Sequence, residues 1–352
     1  MENTFIAAQH LLQNVKSLDK CPQLDAFRGE SRAINEIVVT RMGEKGWALQ
    51  LAHIEHSPCL LMNSSYQEMQ LYAEKTQLQS SSMQFLIRTA LECRFCYEGM
   101  VSLHAACVEQ DGYAVAFTGH SGLGKSTRAK AWVDGLGAAW ISGDRPAIRL
   151  EQQGGTVCGV PWDGKEQIFR NVERPLKCIM EVRRSPLNYV RKLSAEQAQR
   201  LLMQQSFVPM WDTDAAVMAM MNVRGLIRQV PVYRVFCGPE EADAKAVYDI
   251  LFNHPERIRK EAKDMKIKKG FVLRNVVDEF IVMPTGDNIA KFEGAAVLND
   301  VSAFIFKQME NPISREDLLD AILNEYDVDE ATAAKDLDAL LEQFETMNIL
   351  EK

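Results

Sequence analysis

The chain lacks the features that mark a membrane-spanning, secreted or disulfide-built protein. No run of eighteen apolar residues occurs along its 352 residues, so no segment has the length of a membrane-spanning helix. The start, Met1-Glu-Asn-Thr-Phe5, has neither the basic nor the apolar region of a secretory signal. Cysteine is sparse, at eight residues. That is too few for a disulfide scaffold, and reduced thiols in a cytoplasm are the expectation. Cys93-x-x-Cys96 has no second pair nearby and reads as two cysteines on one helix face. His53-x-x-His56 is an equally weak metal signal. A broad basic surface is missing too: the net charge is −8, with 9 Lys+Arg against 18 Asp+Glu from Lys266 onward and 31 against 30 before it. This argues against nucleic acid as the main partner. The basic stretch Arg257 to Lys269 reads as a solvated helix end and linker.

What is present is a loop. Gly119-His-Ser-Gly-Leu-Gly-Lys-Ser-Thr127 fits G-x-x-x-x-G-K-[ST], with Gly119, Gly124, Lys125 and Ser126 at the fixed positions. The spacing has a physical purpose. Glycines let successive backbone N–H groups turn inward toward phosphate oxygens, a lysine adds charge near the outer phosphates, and a hydroxyl faces a magnesium ion. The helix that follows directs its positive end at the anion. Around the loop, Tyr113 to Thr118 has strand character and Arg128 to Leu136 reads as helix, with Gly137 at its stop.

The organisation predicted is an α/β mixed-sheet core with an α+β region before it and a winged-helix-like module after it. Residues 1–99 carry a helix at Phe5–Leu18, a hairpin around Gly43–Gly46 and a helix at Met83–Glu98, with no evident chemistry. Residues 100–256 hold the loop. A strand at Ser102–Val108 and the turn Gln110-Asp111-Gly112 make the loop's strand the second arm of a hairpin. Further strands fall at Trp140–Ser142, Leu176–Val182, Asn188–Lys192 and Pro231–Phe236, with helices at Ser194 onward, Thr213–Arg224 and Pro239–Leu251. After a linker at 257–267, residues 268–352 read as short strands at Phe271–Arg274, Glu279–Met283 and Ala295–Leu298. Three helices follow, capped in turn by Asn299 and Ser314 and ending on the stripe Ala333, Leu337, Leu340, Leu341, Phe344.

Two resemblances follow from these residues. Leu103-His-Ala-Ala106, the loop Gly119–Thr127 and Gly143-Asp-Arg-Pro-Ala147 resemble the HPr serine kinase family, whose core is shared with ATP-dependent phosphoenolpyruvate carboxykinases. Gly159-Val-Pro-Trp-Asp-Gly-Lys-Glu166, Asn171 and Pro175-Leu-Lys177 resemble kinase-like proteins of peptide-modification gene sets. Gly270-Phe-Val-Leu-Arg274, Phe280-Ile-Val-Met-Pro284, Val297-Leu-Asn299 and Glu325-Tyr-Asp-Val328 resemble PqqD. Related modules bind leader segments of ribosomally made peptides by adding the leader as a strand to a sheet edge, against a neighbouring helix.

The resemblances imply roles. Gly119, His120, Ser121, Gly122, Leu123, Gly124, Lys125, Ser126 and Thr127 would cradle ATP, and Ser126, Asp144 and Glu166 would hold Mg2+. Asp144, Lys125, Lys165 and His104 are the catalytic candidates, with Asp163 as a further acid. The related kinases carry two adjacent aspartates where this chain has Gly143-Asp144, and histidine where it has Arg128. The expected function is an ATP-dependent kinase that phosphorylates Ser or Thr of a precursor peptide captured by the C-terminal module. The alternatives are a nucleotide-binding adaptor that presents the peptide to another enzyme, or a small-molecule kinase or carboxykinase relative. No nucleic acid or membrane partner is expected, and the sequence is compatible with a homo-oligomer.

Overall fold

The computed structural model describes residues 14–21, 31–34, 37–52, 54, 56–78, 80–162, 168, 170–185, 188–259, 264–276, 279–286 and 296–351. The chain is mixed α/β, built on several sheets and divided into two compact units, Met1–Arg259 and Lys260–Lys352.

The first unit opens with a five-stranded antiparallel sheet: β1 (Ser31–Ile34), β2 (Ile37–Arg41), β3 (Trp47–Leu51), β4 (Cys59–Met62) and β5 (Met69–Tyr72). The expected hairpin is β2–β3, closed at the pair Arg41 and Trp47. Helix α1 (Ser81–Tyr97) begins where Ser80 Oγ accepts from the Met83 N–H, the N-cap bond that satisfies an orphan donor. Its Met83, Leu86, Ala90 and Leu91 pack with Leu49, Leu60 and Leu71 of the sheet. Each such fully buried side chain contributes about 1.5–3 kcal/mol. Most of the helix expected at Phe5–Leu18 lies outside the described residues. Within them, Lys16 bridges to Tyr72 and Leu18 opens a short 3-10 turn, because backbone pairing with the sheet competes with helix there.

The larger sheet holds β6 (Met100–Ser102), β7 (Ala105–Gln110), β8 (Tyr113–Thr118), β9 (Ala139–Ser142), β10 (Ala147–Leu150), β11 (Gly155–Cys158), β12 (Glu173–Arg184), β13 (Tyr189–Lys192) and β14 (Val232–Cys237). Its order is β6-β10-β11-β12-β8-β7-β9, with β14 on β12 and β13 on β14. The single strand expected at Ser102–Val108 is two. Leu103 and His104 break it: β6 pairs with β10 while β7 pairs with β8 and β9. Nothing between Ser102 and Val108 is a turn residue such as Gly or Pro, so the local sequence does not show the break. Asp111 and Gly112 form the β7–β8 turn with φ of 52° and 81°, the left-handed pair that a two-residue hairpin turn requires.

Long β12 joins the halves of this sheet. Its first residues pair antiparallel with β11, and the rest lies parallel between β8 and β14. Helices α2 (Lys125–Leu136) and α5 (Glu241–Tyr248) pack on one face through Trp132, Ala129, Ala244 and Val247. Helices α3 (Ala195–Gln205) and α4 (Thr213–Gln229) pack on the other through Leu201, Leu202, Val223 and Leu226. The expected capping box at Ser194 and Gln197 is formed. The helix expected at Pro239–Leu251 is shorter, since the wider turn Asp249–Asn253 follows α5.

The second unit has two three-stranded sheets. β15 (Asp264–Ile267), which falls in the stretch read as linker, is central to one, between β19 (Ile313–Ser314) and β20 (Leu350–Glu351). β16 (Phe271–Val276), β17 (Glu279–Pro284) and β18 (Ala296–Leu298) make the other. Helices α6 (Asp300–Gln308), α7 (Arg315–Glu325) and α8 (Glu330–Thr346) complete the unit, and Asn299 and Ser314 cap the first two as expected. No described helix is long and apolar enough to cross a membrane.

One side chain ties the N-terminal sheet to α4. Asp212 Oδ1 caps α4 at Asp214 N and Ala215 N, while Oδ2 accepts from Tyr66 Oη at 2.7 Å and Trp47 Nε1 at 3.0 Å. Replacing it strands two buried donors and removes a cap. Asp212→Ala is therefore expected to lower stability by roughly 2–4 kcal/mol, read from the urea midpoint at unchanged slope.

Candidate functional site

The parallel register brings one set of strand ends together. The glycine loop follows Thr118 at the end of β8, Arg184 ends β12, and Cys237 ends β14. β9 runs antiparallel to β7, so Ser142-Gly143-Asp144 emerges at the same edge, where His104 precedes β7. Carboxyl ends of parallel strands are where open α/β sheets place ligands.

The loop is shaped by glycine. Gly119, Gly122 and Gly124 have φ of 129°, 86° and 86°, in the region that L side chains avoid. At Gly124 a Cβ would also collide with Arg128 Nη1. Arg128 is 6% exposed, and its guanidinium donates to Leu123 O at 3.2 Å and Cys237 O at 3.0 Å, bracing the loop against β14. Arg184 Nη2 donates to Gly122 O at 2.8 Å. Helix α2 starts at Lys125 immediately after the loop, so its first N–H groups face the loop's mouth. Lys125 Nζ lies against Gly119 O at 3.0 Å and His120 O at 3.2 Å. Burial lowers its pKa, Asp144 acts in the opposite direction, and Arg145 lowers it again.

Asp144 is the site's central acid. Its Oδ1 lies 3.9 Å from His104 Nε2 and its Oδ2 3.7 Å from Arg88 Nη1. Both are electrostatic approaches, longer than hydrogen bonds. Ser142 Oγ donates to Asp144 O at 2.8 Å and fixes the turn. His104 is held by its backbone: its N–H donates to Gln205 O at 2.7 Å and its carbonyl accepts from Thr118 Oγ1 at 2.9 Å. Burial and the Lys125 charge depress its pKa, and Asp144 works against them. The imidazole is therefore neutral near pH 7.

Of the candidates read from sequence, the structure brings Lys125, Asp144, His104 and the loop Gly119–Thr127 to one edge. Lys165, Glu166 and Asp163 lie outside the described residues. Ile168, which follows them, accepts from Gly143 N at 2.9 Å beside Asp144. Three residues at this edge were not among the candidates read from sequence. Arg88 and Glu92 come from α1, in the region read as lacking chemistry, and Arg145 follows Asp144. Glu92 is 2% exposed, accepts from Ser102 Oγ at 2.6 Å, and faces Arg145 Nη1 at 3.6 Å and Arg88 Nε at 3.9 Å. A glutamate among Ala90, Leu91 and Cys93 on an apolar helix was the one available hint, since such a charge is buried only with partners.

The second unit holds a cavity of about 300 Å³ between α6, α7 and α8, with Val301, Ile305, Leu337 and Leu340 in its wall and Asn299, Asp336 and Gln343 among its polar groups. β18 is bonded to β17 on one side, and its Val297 is 60% exposed.

Residues 279–350 match the family model of coenzyme PQQ synthesis protein D (PqqD), so the chain carries a PqqD domain at its C-terminal end. Among solved structures, "TbiB1 in Complex with the TbiA(beta) Leader Peptide" is 27% identical over 24% of this chain and 94% of that one, at a TM-score of 0.22. The Hpr(Ser) kinase/phosphatase of Coxiella burnetii is 14% identical over 44% of this chain and 96% of that one, at a TM-score of 0.24. No curated protein matches the chain.

His104 gives a direct check on the electrostatics. Its NMR titration is expected below the ordinary histidine value, and Asp144→Asn is expected to lower it further, because the aspartate is the group that raises it. Since the folded state resists protonating His104, its share of stability is complete above about pH 6.5. That share is lost as pH falls from there through the depressed folded value.

Proposed function

We propose that this protein transfers the γ-phosphoryl group of ATP to a Ser or Thr hydroxyl of a ribosomally made precursor peptide, whose leader segment its PqqD domain holds. The observation that carries the reading is one edge of one sheet, where Asp144, His104 and Lys125 meet a positive-φ glycine loop, on a chain that also bears a PqqD domain. The glycine loop and the start of α2 bind the phosphates, and Lys125 leaves its loop carbonyls to reach the outer ones. The residues fit a magnesium ion: Ser126 and Asp144 offer hard oxygen ligands, and Mg2+ takes few protein ligands beside substrate phosphates. Bound there, it would supply charge neutralisation at the outer phosphates.

In the transfer itself, the acceptor oxygen attacks the γ-phosphorus and its proton passes to Asp144. The bond from phosphorus to ADP breaks with its electron pair on the β-phosphate oxygen. ADP, phosphopeptide and one proton result. His104 Nε2 stands 3.9 Å from the carboxylate, beside the group that takes the proton. Among the described residues β18 pairs with β17 alone, and that open flank and the cavity beside α8 suit a leader added as a strand with apolar side chains against the helix. Holding the leader raises the acceptor's effective concentration to about the millimolar range without new contacts at the reacting atoms. Free cysteines throughout the described residues accord with a cytoplasmic setting.

The test is incubation with Mg2+, ATP and the precursor peptide encoded beside this gene, followed by mass spectrometry. One added phosphate on a Ser or Thr is expected, with Asp144→Asn slowing turnover by about 100-fold or more. Peptide binding without any mass gain would overturn the kinase reading and leave an adaptor. Val297→Asp, which puts a charge on the exposed flank of β18, is expected to weaken peptide binding while ATP affinity stays unchanged in calorimetry.

A further inference from the structure

The region before the glycine-loop domain reaches into the site through α1, where the buried acid Glu92 is flanked by Arg88 of the same helix and Arg145 of the turn after β9. Glu92 is enclosed, bonded by Ser102, and flanked by both arginines. Arg88 spans two carboxylates, Glu92 through Nε at 3.9 Å and Asp144 through Nη1 at 3.7 Å. These are loose approaches, and Arg88 Nε, shielded from solvent, has no hydrogen-bond partner among the described residues. Arg145 stands in the left-handed region at φ 46°, costly for a residue with a side chain. Trp162 Nε1 pins that conformation by donating to Arg145 O at 3.1 Å. Strain of this kind persists where surrounding structure enforces it, and here it aims the guanidinium at Glu92 rather than at solvent. Burial pushes the Glu92 carboxyl up, Arg145 and Arg88 oppose that, and with Lys125 the two arginines surround Asp144 with cations, an edge suited to an incoming anion.

We propose that Arg88 and Arg145 form a two-guanidinium clamp for the phosphoryl group in transfer, with Glu92 as the positioning residue that holds both. The inference deepens the phosphotransfer reading and rests on it. As the bond to ADP breaks and the bond to the acceptor oxygen forms, negative charge spreads over the three equatorial oxygens. Planar guanidinium forks match such oxygens in pairs, and their weak hydration makes them cheap to enclose. Arg88 reaches Asp144, the group proposed to take the acceptor's proton, so the clamp would engage the moving group more than the ground-state diphosphate.

The experiment compares two ligands on the full chain by calorimetry: Mg·ADP, and Mg·ADP with aluminium fluoride, which mimics the phosphoryl in flight. Wild type is expected to bind the second ligand more tightly. Arg88→Met is expected to leave ADP affinity within about threefold while weakening the fluoride complex by about tenfold or more, and Arg88→Lys to recover only part of that loss. Glu92→Gln is expected to show the same selective loss, with its ADP affinity reporting that it has folded. Equal weakening of both ligands in Arg88→Met, or none, overturns the clamp while the nucleotide site stands. Failure of wild type to bind ADP at all overturns both.

Discussion

The charge balance at Asp144 is the constraint on which the site depends. A carboxylate at a strand end, next to a loop proposed to bind phosphate, would repel that ligand unless cations offset it. Here they come from three directions: Lys125 from the start of α2, Arg88 from α1, and Arg145 from the turn itself. Each is restrained by something other than Asp144. Lys125 rests on loop carbonyls, and the two arginines on Glu92. Asp144 therefore stays free to accept a proton or a metal without releasing the groups around it. Burying Glu92 is costly, and removing one partner from such a group is costlier still, which locks α1 to the end of β6 through Ser102 and to the turn at Arg145.

Local features of this fold were legible in the sequence, and long-range ones were not. Asp111-Gly112 announced the hairpin, the Ser194 and Asn299 caps announced helix starts, and the glycine loop announced its own bend, because each is set within a few residues. His104 was found through resemblance to a family, yet the reason for its placement, the break between β6 and β7, lies in a stretch without Gly or Pro to announce it. Arg88 and Glu92 were invisible for another reason. Their partners Asp144 and Arg145 lie more than fifty residues away, and an Arg-x-x-x-Glu pair on a helix ordinarily signals a solvated face. Arg128 was noticed as a departure from the related kinases. The structure gives it a mechanical task, as a strut from loop to β14 that a histidine is too short to span.

The two units divide the work that the proposed reaction needs. A phosphate cradle is generic, so selectivity must come from elsewhere, and a strand added to β18 would read backbone first and side chains second. A leader bound this way fixes which chain is presented while leaving the distant acceptor free to sample the catalytic edge. On the proposed reading, the acidic balance of the C-terminal part would favour leaders that carry basic residues.

Gly143 in place of a second aspartate fits this economy of charge. Phosphoryl transfer through a loose transition state takes the acceptor's proton late, so a strong base contributes less than stabilisation of the equatorial oxygens. A second carboxylate at position 143 would add negative charge where that stabilisation is needed, and would be tolerable only with a further metal ion to cancel it. Glycine removes the repulsion, and its N–H is spent on Ile168 O, which fastens the neighbouring segment to the strand end. One acid with guanidinium support is thus a self-consistent alternative to two acids with more metal. It relies on side chains preset by the fold, whose reorganisation during reaction is small.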